Sequence, residues 1–422
     1  MKKLIHTADW HLGAKLGVRS RLPEQQGFLK WLLDVLREER PDLLVVAGDV
    51  FDTGAPSNEA QSEYYRFIKA VDADGLAGHV LILGGNHDSP SLLAAPKPVL
   101  EAVRTVVVPE GARTLAEVAD AEAFSFDCSD GGALAVAAVP FLRSAVLANN
   151  AQEAGVDAEL PPAARAEAGF RIHCAKAVEA ARAKAPEGSP LILTGHCVIT
   201  GATYSDDTSE VSRRVIGGVD GIGMDAIPDA NYVALGHLHL SHCVGGRETV
   251  RYAGAPIPMS FAESNAEKGV TVVEFEEGNV AIRQRVYEDA QEFWRIMGSA
   301  EKVGSDLKAL LEARPDSTAW IEATLTEGAG DPIAFRRNLM EIVRPYNVTL
   351  MMTKDERENS PRSAMAVAGG RNLDSLSPRE LALKRLEVAN LTKEQFDEYV
   401  AMIDAALAAN PDEDVEEQTE EQ

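Results

Sequence analysis

Five short apolar segments of this chain each end in an acidic, amide or imidazole side chain, and this recurrence strongly limits the fold. The segments and their polar residues are "KKLIHTA" with Asp9 and His11, "DLLVVAG" with Asp49, "HVLILGG" with Asn86, "LILTGH" with His196, and "YVALGH" with His237 and His239. Helical stretches such as "EQQGFLKWLLDVLREER" separate the first segments, so the pattern predicts an α/β fold in which helices cover a sheet. The carboxyl ends of parallel strands form the ligand crevice of such a sheet. We therefore expect these polar side chains to meet in one crevice.

The rest of the pattern predicts five parts along the chain. An α/β domain over 1–288 is closed by the hairpin "VTVVEFEEGNVAIRQRVY", and alternating helices and strands over 289–355 predict a small α+β capping domain. Residues 356–372 are polar and contain Pro, Ser and a Gly pair, which predicts a linker. Residues 373–409 are predicted to form a helical hairpin, and the acidic tail over 410–422 is predicted to be disordered.

The helical hairpin is predicted from two helix starts. The segments "SPRE" from Ser377 and "TKEQ" from Thr392 both have the spacing of a capping box. The second helix places apolar side chains at i, i+3, i+4 and i+7 from Phe396. A hairpin this short has little core of its own, so its apolar face needs a partner surface. That surface belongs either to the domain at 289–355 or to another protein.

Composition excludes several classes of protein. The chain has 422 residues and a net charge of −25, which argues against passive binding to nucleic acid through surface charge. No apolar run approaches the roughly 18 residues of a transmembrane helix. The apolar stretch after the first lysines is too short for a signal peptide, so we expect a cytoplasmic protein that does not bind membranes. The four cysteines are far apart without a CxxC pair, which excludes a Cys-zinc spacing and a disulfide framework.

The polar residues at the strand ends predict a metal centre. Together they offer nitrogen and oxygen donors and no thiolate, a set suited to Mn²⁺, Fe or Mg²⁺ rather than to structural zinc. Their number is too high for one ion and about right for two. In a two-metal site the ions share a bridging ligand, and Asp49 is the central candidate for that role. His237 and His239 are two residues apart on an extended chain, so they point to the same side and could each reach one ion.

The ordered motifs D-x-H, GDxxD, GNHD, GH and GHxH resemble those of the calcineurin-like metallophosphoesterases. The segments "IHTADWHLG", "VAGDVFDTG", "GNHDS", "ALGHLH" and "VRYAGAPIPMSF" are similar to the SbcD family of nuclease subunits, and this resemblance runs over nearly the whole chain. It implies two divalent metal ions, of which Mn²⁺ is the first candidate. The implied ligands of one ion are Asp9, His11, Asp49 and His239, and those of the other are Asp49, Asn86, His196 and His237.

The same resemblance implies a DNA nuclease with 3′-to-5′ exonuclease activity, and with endonuclease activity near DNA ends and hairpins, in DNA repair, recombination and replication. It also implies a homodimer within a heterotetramer, assembled with an SbcC-like SMC-type ATPase that docks on the hairpin at 373–409. The segments "SEYYRFIKAV" and "SLLAAPKPVLEAV" are apolar enough for the dimer interface and equally suited to covering the sheet. A two-metal phosphatase or phosphodiesterase acting on a small molecule or a protein is the alternative, because one fold hosts many substrates. An inactive DNA-end scaffold is disfavoured by the complete set of ligands.

Three further residues of the motifs have predicted roles. His87 is left without an ion beside Asn86, and we expect it to stabilise or protonate the phosphodiester in the transition state. A purely structural, hydrogen-bonded histidine is the alternative. Asp52 and Asp88 are expected to orient a ligand or cap a turn rather than to bind an ion.

An acidic chain should repel a polyanionic substrate. Bound divalent ions would make the site itself attractive to phosphate, because an ion is often the largest local charge in a site. Arginines could add contacts to phosphate, with a solvated surface position as the alternative for each. The candidates are Arg19, Arg21, Arg143, Arg213, Arg214 and Arg251. The histidines outside the motifs are expected to be structural, with the first a candidate for the floor of the site; they are His6, His79, His173 and His242.

Overall fold

The computed structural model describes residues 1–200, 221–328, 331–357 and the single residue 400. The chain divides into two compact units, of which the first is Met1–Phe293 and the second begins at Trp294. Almost all of the predicted linker, helical hairpin and acidic tail lies outside the described residues. No helix in the described part of the chain is long and apolar enough to cross a membrane.

Short strands and seven helices form the described part of the first unit. The strands are β1 (Lys2–Thr7), β2 (Lys15–Leu16), β3 (Arg19–Ser20), β4 (Leu43–Val46), β5 (His79–Leu83), β6 (Thr105–Val108), β7 (Ala123–Asp127), β8 (Ala133–Val139), β9 (Leu191–His196), β10 (Tyr232–Gly236), β11 (His242–Val244), β12 (Arg247–Tyr252), β13 (Gly269–Glu276) and β14 (Asn279–Val286). The helices are α1 (Leu22–Glu39), α2 (Asn58–Ala73), α3 (Pro90–Ala94), α4 (Lys97–Glu101), α5 (Val118–Glu122), α6 (Ser144–Glu153) and α7 (Pro162–Lys184).

Two six-stranded sheets organise this unit. The first sheet has the order β14-β13-β1-β4-β5-β6, and the second has the order β11-β12-β10-β9-β8-β7. Strands β1, β4, β5 and β6 run parallel to one another, as do β8, β9, β10 and β12. Because the carboxyl ends of parallel strands lie at one edge of a sheet, the polar ends of β1, β4 and β5 are gathered together, and so are those of β9 and β10.

The two sheets face each other across an apolar core, and helices cover their outer faces. Leu4, Val45 and Leu81 of the first sheet lie in one buried cluster with Val136 and Ile192 of the second. Each such side chain, when fully removed from water, contributes roughly 1.5–3 kcal/mol to folding. Helices α1 and α2 cover the outer face of the first sheet, and α6 and α7 cover that of the second. The predicted α/β layered fold is therefore confirmed.

Helix α2 illustrates why the sequence forms these elements. The Ser57 side chain accepts a hydrogen bond from the Ala60 N–H and so satisfies one of the unpaired donors of the first turn. Tyr64, Phe67 and Ile68 are all buried and follow the helical spacing i, i+3, i+4. The helix therefore presents one apolar face to the first sheet.

The second unit is a small α+β fold with a three-stranded sheet. Its described elements are β15 (Phe293–Gly298), which begins at the last residue of the first unit, α8 (Ala300–Ala313), β16 (Trp320–Leu325), α9 (Pro332–Val343) and β17 (Thr349–Asp355). The strand order is β15-β16-β17, and β16 and β17 run parallel. Side chains of both helices share one core with the sheet. Helices and strands alternate along this unit, in agreement with the predicted α+β fold.

Candidate metal centre

The loops that carry the predicted ligands have an unusual backbone. Four of the predicted ligand residues have positive φ, namely Asp9 at 53°, His11 at 43°, Asp49 at 49° and His237 at 98°. Such conformations cost on the order of 1–3 kcal/mol each and persist only where surrounding contacts hold them. Here the Asp9 N–H donates to the Gly48 carbonyl at 3.0 Å and the His11 N–H donates to the Asp49 carbonyl at 3.0 Å. The loops after β1 and β4 therefore hold each other in the strained conformation.

Three glycines allow these loops to approach one another closely. A Cβ on Gly48 would overlap the His196 ring, and one on Gly85 would overlap the Asp49 carboxylate. A Cβ on Gly236 would overlap the Ala47 carbonyl oxygen. The glycines before the ligands are thus required by packing, as the strand-end pattern predicted.

One group of potential donor atoms comes from Asp9, His11 and His239, and these atoms lie within 4.8 Å of one another. The Nε2 atoms of His11 and His239 are 3.2 Å apart. The Asp9 carboxylate also accepts the His237 N–H, at 2.9 Å through Oδ1 and 3.1 Å through Oδ2. This group joins the loop after β1 to the loop after β10, and therefore joins the two sheets.

A second group comes from Asp49, His196 and His237, again with donor atoms within 4.8 Å. The Asn86 Oδ1 lies 3.1 Å from the His196 Nε2 and 2.8 Å from the His237 Nδ1. The His196 Nδ1–H donates to the Ala47 carbonyl at 2.8 Å, because a carbonyl can only accept. Its Nε2 is thereby directed at the group as the donor atom for a cation.

The Asp49 carboxylate lies between the two groups. Its Oδ2 is 3.6 Å from the His11 Nε2 and 3.4 Å from the His196 Nε2. Its Oδ1 accepts the His87 N–H at 2.9 Å, which fixes the plane of the carboxylate. One buried carboxylate is therefore in reach of histidines from both groups.

Burial and mutual interaction shift the pKa values of these residues. Burial raises the pKa of Asp9 to about 7, against the attraction of nearby histidines. Burial opposes ionisation of Asp49 too, but His196 holds the pKa of that carboxyl well below its usual range. In the same pair, Asp49 overcomes burial and raises the pKa of His196 to about 9. Burial lowers the pKa of His237 to about 3.

These residues fit divalent metal ions. The donor atoms are carboxylate and amide oxygens and imidazole nitrogens, and they converge in a largely buried crevice. The pKa values of Asp9 and His196 are raised to about 7 and about 9, so both groups tend to hold protons near neutral pH when no cation is bound. A divalent ion would displace such protons.

The other predicted residues of the motifs lie beside the two groups, and the donor atoms of Asp52 and His87 form a third set with those of His11, all within 4.8 Å. The His87 Nδ1–H donates to the Asp52 carbonyl at 2.6 Å, and the His87 ring meets the His11 ring edge to face, with centroids 4.7 Å apart. The Asp52 Oδ1 lies 3.6 Å from the His11 Nδ1. The buried Asp88 accepts the N–H groups of Val50, Phe51 and Gly85 at 2.9–3.1 Å, and so joins the loops after β4 and β5.

Sequence reasoning missed two residues of the site, Glu263 and Lys268. The Glu263 Oε1 lies 3.4 Å from the His239 Nδ1, and the Lys268 ammonium contacts the Glu263 carboxylate. Burial opposes the charged forms of Glu263 and His239. Lys268 nevertheless lowers the pKa of Glu263 to about 2, and Glu263 raises the pKa of His239. In the segment "FAESNAEKGV" these two residues carry no local signal, because only the fold brings them to His239.

The arginine candidates separate into different environments. Arg21 is buried, with its guanidinium bonded to Glu24 and donating to the Pro258 carbonyl at 2.7 Å, so the prediction of a phosphate contact is wrong for this residue. The sequence carries no local sign of this burial, because Arg21 meets Pro258 only through the fold. Arg19 and Arg143 are exposed and Arg251 is half-buried. Arg213 and Arg214 lie outside the described residues.

The histidines outside the motifs have other partners. His6 is buried within β1, 3.0 Å through Nδ1 from the Tyr232 hydroxyl. His173 is buried against Glu122 and Asn150. His242 donates through Nδ1 to the Leu240 carbonyl at 2.9 Å, and the ring of His79 lies 5.1 Å from that of Phe126.

Two family models match this chain. The model of the Calcineurin-like phosphoesterase family matches residues 2–241, more than half of the chain. The Type 5 capsule protein repressor C-terminal domain, SbcD_C, matches residues 289–390. A solved dimetal phosphatase from Danio rerio is 13% identical with a TM-score of 0.36, over 68% of this chain and 96% of that chain, a likeness too weak to support an argument.

Curated relatives match over most of their length. The SbcD component of the nuclease SbcCD from Escherichia coli strain K12 is 30% identical over 93% of this chain and 94% of its own. The protein of the same name from Bacillus subtilis is 29% identical, covering 76% of this chain and 78% of its own. That from Rhodobacter capsulatus is 35% identical, covering 65% and 67%. The chain therefore belongs to the calcineurin-like phosphoesterases and, within them, to the SbcD family of nuclease subunits.

Proposed function

We propose that this chain hydrolyses phosphodiester bonds of DNA with two divalent ions, Mn²⁺ being the best suited. The observation that carries the proposal is the position of Asp49, whose Oδ2 lies 3.6 Å from the His11 Nε2 and 3.4 Å from the His196 Nε2. A carboxylate between two groups of donors is the arrangement that a pair of ions sharing one ligand requires. The proposed ligands are Asp9, His11, Asp49 and His239 for one ion, and Asp49, Asn86, His196 and His237 for the other.

When bound, the ions would supply positive charge to the phosphate and lower the pKa of a water molecule. The chain itself orients the donors. The Ala47 carbonyl holds the His196 ring, and the Asp9 carboxylate holds the loop of His237 through its N–H. The Asp88 carboxylate fixes the turn that carries Asn86, because it accepts three N–H groups from two loops.

His87 is the proposed acid of the reaction. Its Nδ1–H donates to the Asp52 carbonyl at 2.6 Å, so a second proton on Nε2 would make the ring an imidazolium able to stabilise or protonate the phosphodiester. Its backbone N–H is bonded to Asp49, and its ring lies edge to face against His11. These contacts keep the imidazole beside both groups of ligands without making it a member of either proposed set.

The family supports the finer parts of the proposal. Its curated members are named as the SbcD component of the nuclease SbcCD. We therefore infer 3′-to-5′ exonuclease activity and endonuclease activity on DNA ends and hairpins. We further infer work in the cytoplasm in DNA repair, recombination and replication, as a homodimer within a heterotetramer that includes an SMC-type ATPase. The exposed Arg19 and Arg143 are the proposed phosphate contacts.

A direct assay separates this proposal from the alternative phosphatase. Purified protein with Mn²⁺ is incubated with end-labelled duplex DNA and, separately, with a phosphoserine peptide. We expect nucleotides to be released from the DNA, with loss of activity in EDTA and recovery on adding Mn²⁺. Phosphate release from the peptide with intact DNA would reject the nuclease in favour of a phosphatase.

A truncation after Asn372 tests the proposed docking of the ATPase on 373–409. We expect the truncated chain to keep Mn²⁺-dependent cleavage when isolated and to lose co-purification with the ATPase. Co-elution of the truncated protein with the ATPase at full stoichiometry would show that these residues are not the main tether.

A further inference from the structure

We propose that Glu263 and Lys268 position His239 for its ion, so that the two ions are supported in chemically different ways. This inference rests on the proposed metal centre. It concerns a buried ion pair that contributes no donor atom to either proposed ligand set and acts only through His239.

The first contact sets the tautomer of His239. The Glu263 Oε1 lies 3.4 Å from the His239 Nδ1, on a carboxylate that is 1% exposed. A carboxylate beside Nδ1 favours the proton on that nitrogen, which leaves the lone pair on Nε2. That Nε2 lies 3.2 Å from the His11 Nε2, in the group completed by Asp9. Glu263 therefore directs the donor atom of His239 into the metal centre.

The second set of contacts holds Glu263 itself in place. The Lys268 ammonium, on a side chain 3% exposed, contacts the Glu263 carboxylate and also donates to the His239 carbonyl at 2.9 Å. The Met259 N–H donates to the Glu263 Oε2 at 3.2 Å. Lys268 thus compensates the buried negative charge and ties the pair to the backbone of the ligand that it orients.

His196, a proposed ligand of the other ion, is held by a different kind of partner. The His196 Nδ1–H donates to the Ala47 carbonyl at 2.8 Å, which is a backbone group. A carboxylate partner makes an imidazole a more basic ligand than a neutral carbonyl partner does. One ion therefore depends on a removable side-chain charge, whereas the other depends on the backbone of the loop after β4.

The test uses the full-length protein, Mn²⁺ as the ligand, and four variants compared by titration calorimetry and by the visible absorption of bound Co²⁺. The variants are Glu263→Gln, the double change Glu263→Ala with Lys268→Met, Lys268→Met alone, and Glu122→Gln as a matched control. The control removes the charge from a carboxylate that is bonded to a buried histidine, His173, outside the metal centre. Circular dichroism verifies folding of each variant.

We expect the double variant to bind one of two Mn²⁺ equivalents about 10- to 100-fold more weakly, with the other unchanged. Glu263→Gln should lose less affinity, because its amide oxygen can still accept the His239 Nδ1–H, and the Co²⁺ spectrum should change in both. Glu122→Gln should leave both affinities and the spectrum unchanged. If the double variant fails to fold, the isosteric Glu263→Gln decides the question.

Two results would overturn the inference. Wild-type affinity for both equivalents in folded Glu263→Gln, with an unchanged Co²⁺ spectrum, would make the pair structural only. Equal weakening of both equivalents would exclude a role specific to His239. A wild-type protein that binds fewer than two ions would instead reject the proposed two-metal centre, so the two failures can be told apart.

Discussion

Two imidazole–carboxylate pairs in the first unit, each with a buried carboxylate, show how similar chemistry serves different ends. The His173 Nε2–H donates to the Glu122 Oε2 at 2.6 Å, while the Asn150 amide donates to the His173 Nδ1 at 2.8 Å. In the other pair, Glu263 lies 3.4 Å from the Nδ1 of His239, whose Nε2 faces His11 at 3.2 Å. Each histidine therefore has one nitrogen beside a carboxylate, and the pairs differ in what the second nitrogen meets.

The difference teaches how to separate a ligand from a structural histidine. Both nitrogens of His173 are occupied by side chains, so this ring joins α5, α6 and α7 and has no donor atom to offer. The second nitrogen of His239 lies close to donor atoms of Asp9 and His11. Lone pairs that converge in this way repel one another unless a proton or a cation lies between them. A buried histidine is a candidate ligand when its outer nitrogen converges with other donors.

The largest effect is expected when the carboxylate of Asp49, the proposed bridging ligand, is removed. In Asp49→Ala we expect both Mn²⁺ equivalents to bind much more weakly and cleavage to be abolished, because one carboxylate serves both groups. Asp9→Ala should weaken chiefly one equivalent. Calorimetric titration with Mn²⁺ measures both. Weakening of a single equivalent in Asp49→Ala would show that this residue does not bridge.

The next effect concerns a histidine of the centre that is not a proposed ligand. His87→Ala should keep both metal equivalents and lower the rate of DNA cleavage by about 10²- to 10⁴-fold, as expected for loss of a general acid. His79→Ala, at the start of β5 rather than beyond its end, is the matched control and should retain activity. Metal analysis beside the nuclease assay decides, and loss of a metal equivalent would make His87 a ligand.

A change in the Glu122–His173 pair should lower the stability of the fold and leave metal binding unchanged. Glu122→Ala leaves the Ala112 N–H and the His173 ring without their carboxylate partner, at a cost of roughly 1–3 kcal/mol for each buried group. We expect a lower free energy of unfolding in urea and unchanged Mn²⁺ affinity of the folded protein. A weakened metal equivalent would break the distinction between the two pairs.

A graded effect is expected in the dependence of metal affinity on pH. The pKa of His196 is raised to about 9 and that of Asp9 to about 7, so both hold protons that an ion must displace as pH falls. As pH is lowered from 9 to 7, the affinity for Mn²⁺ should fall by up to about tenfold per pH unit, and more steeply below pH 7, where a second proton competes. Calorimetry in buffers of different ionisation enthalpy counts the released protons. An affinity independent of pH from 6 to 9 would contradict this assignment.

Much of the fold and the convergence of the polar residues at the strand ends could be predicted because their signals are local. An apolar run followed by glycine and a polar residue is a property of a few adjacent residues, and five such runs predicted the layered fold that the two sheets confirm. The resemblance of the motifs implied the nuclease family, which the relatives confirm. The roles of the individual ligands stay predictions. The left-handed backbone at Asp9 and Asp49 was not predicted, because it depends on hydrogen bonds between two loops that are distant in sequence.

The sequence by itself determined which residues end the strands and therefore which donors could meet at the crevice, because strand period and turn chemistry act between neighbours. Only the tertiary structure decided which other side chains contact the residues of that crevice and which are buried elsewhere. Glu263 and Lys268 reach His239, Arg21 turns into the interior, and His173 is closed off by Glu122. Such pairings are set by packing between segments far apart in the chain, where no local pattern distinguishes a buried charge from a solvated one.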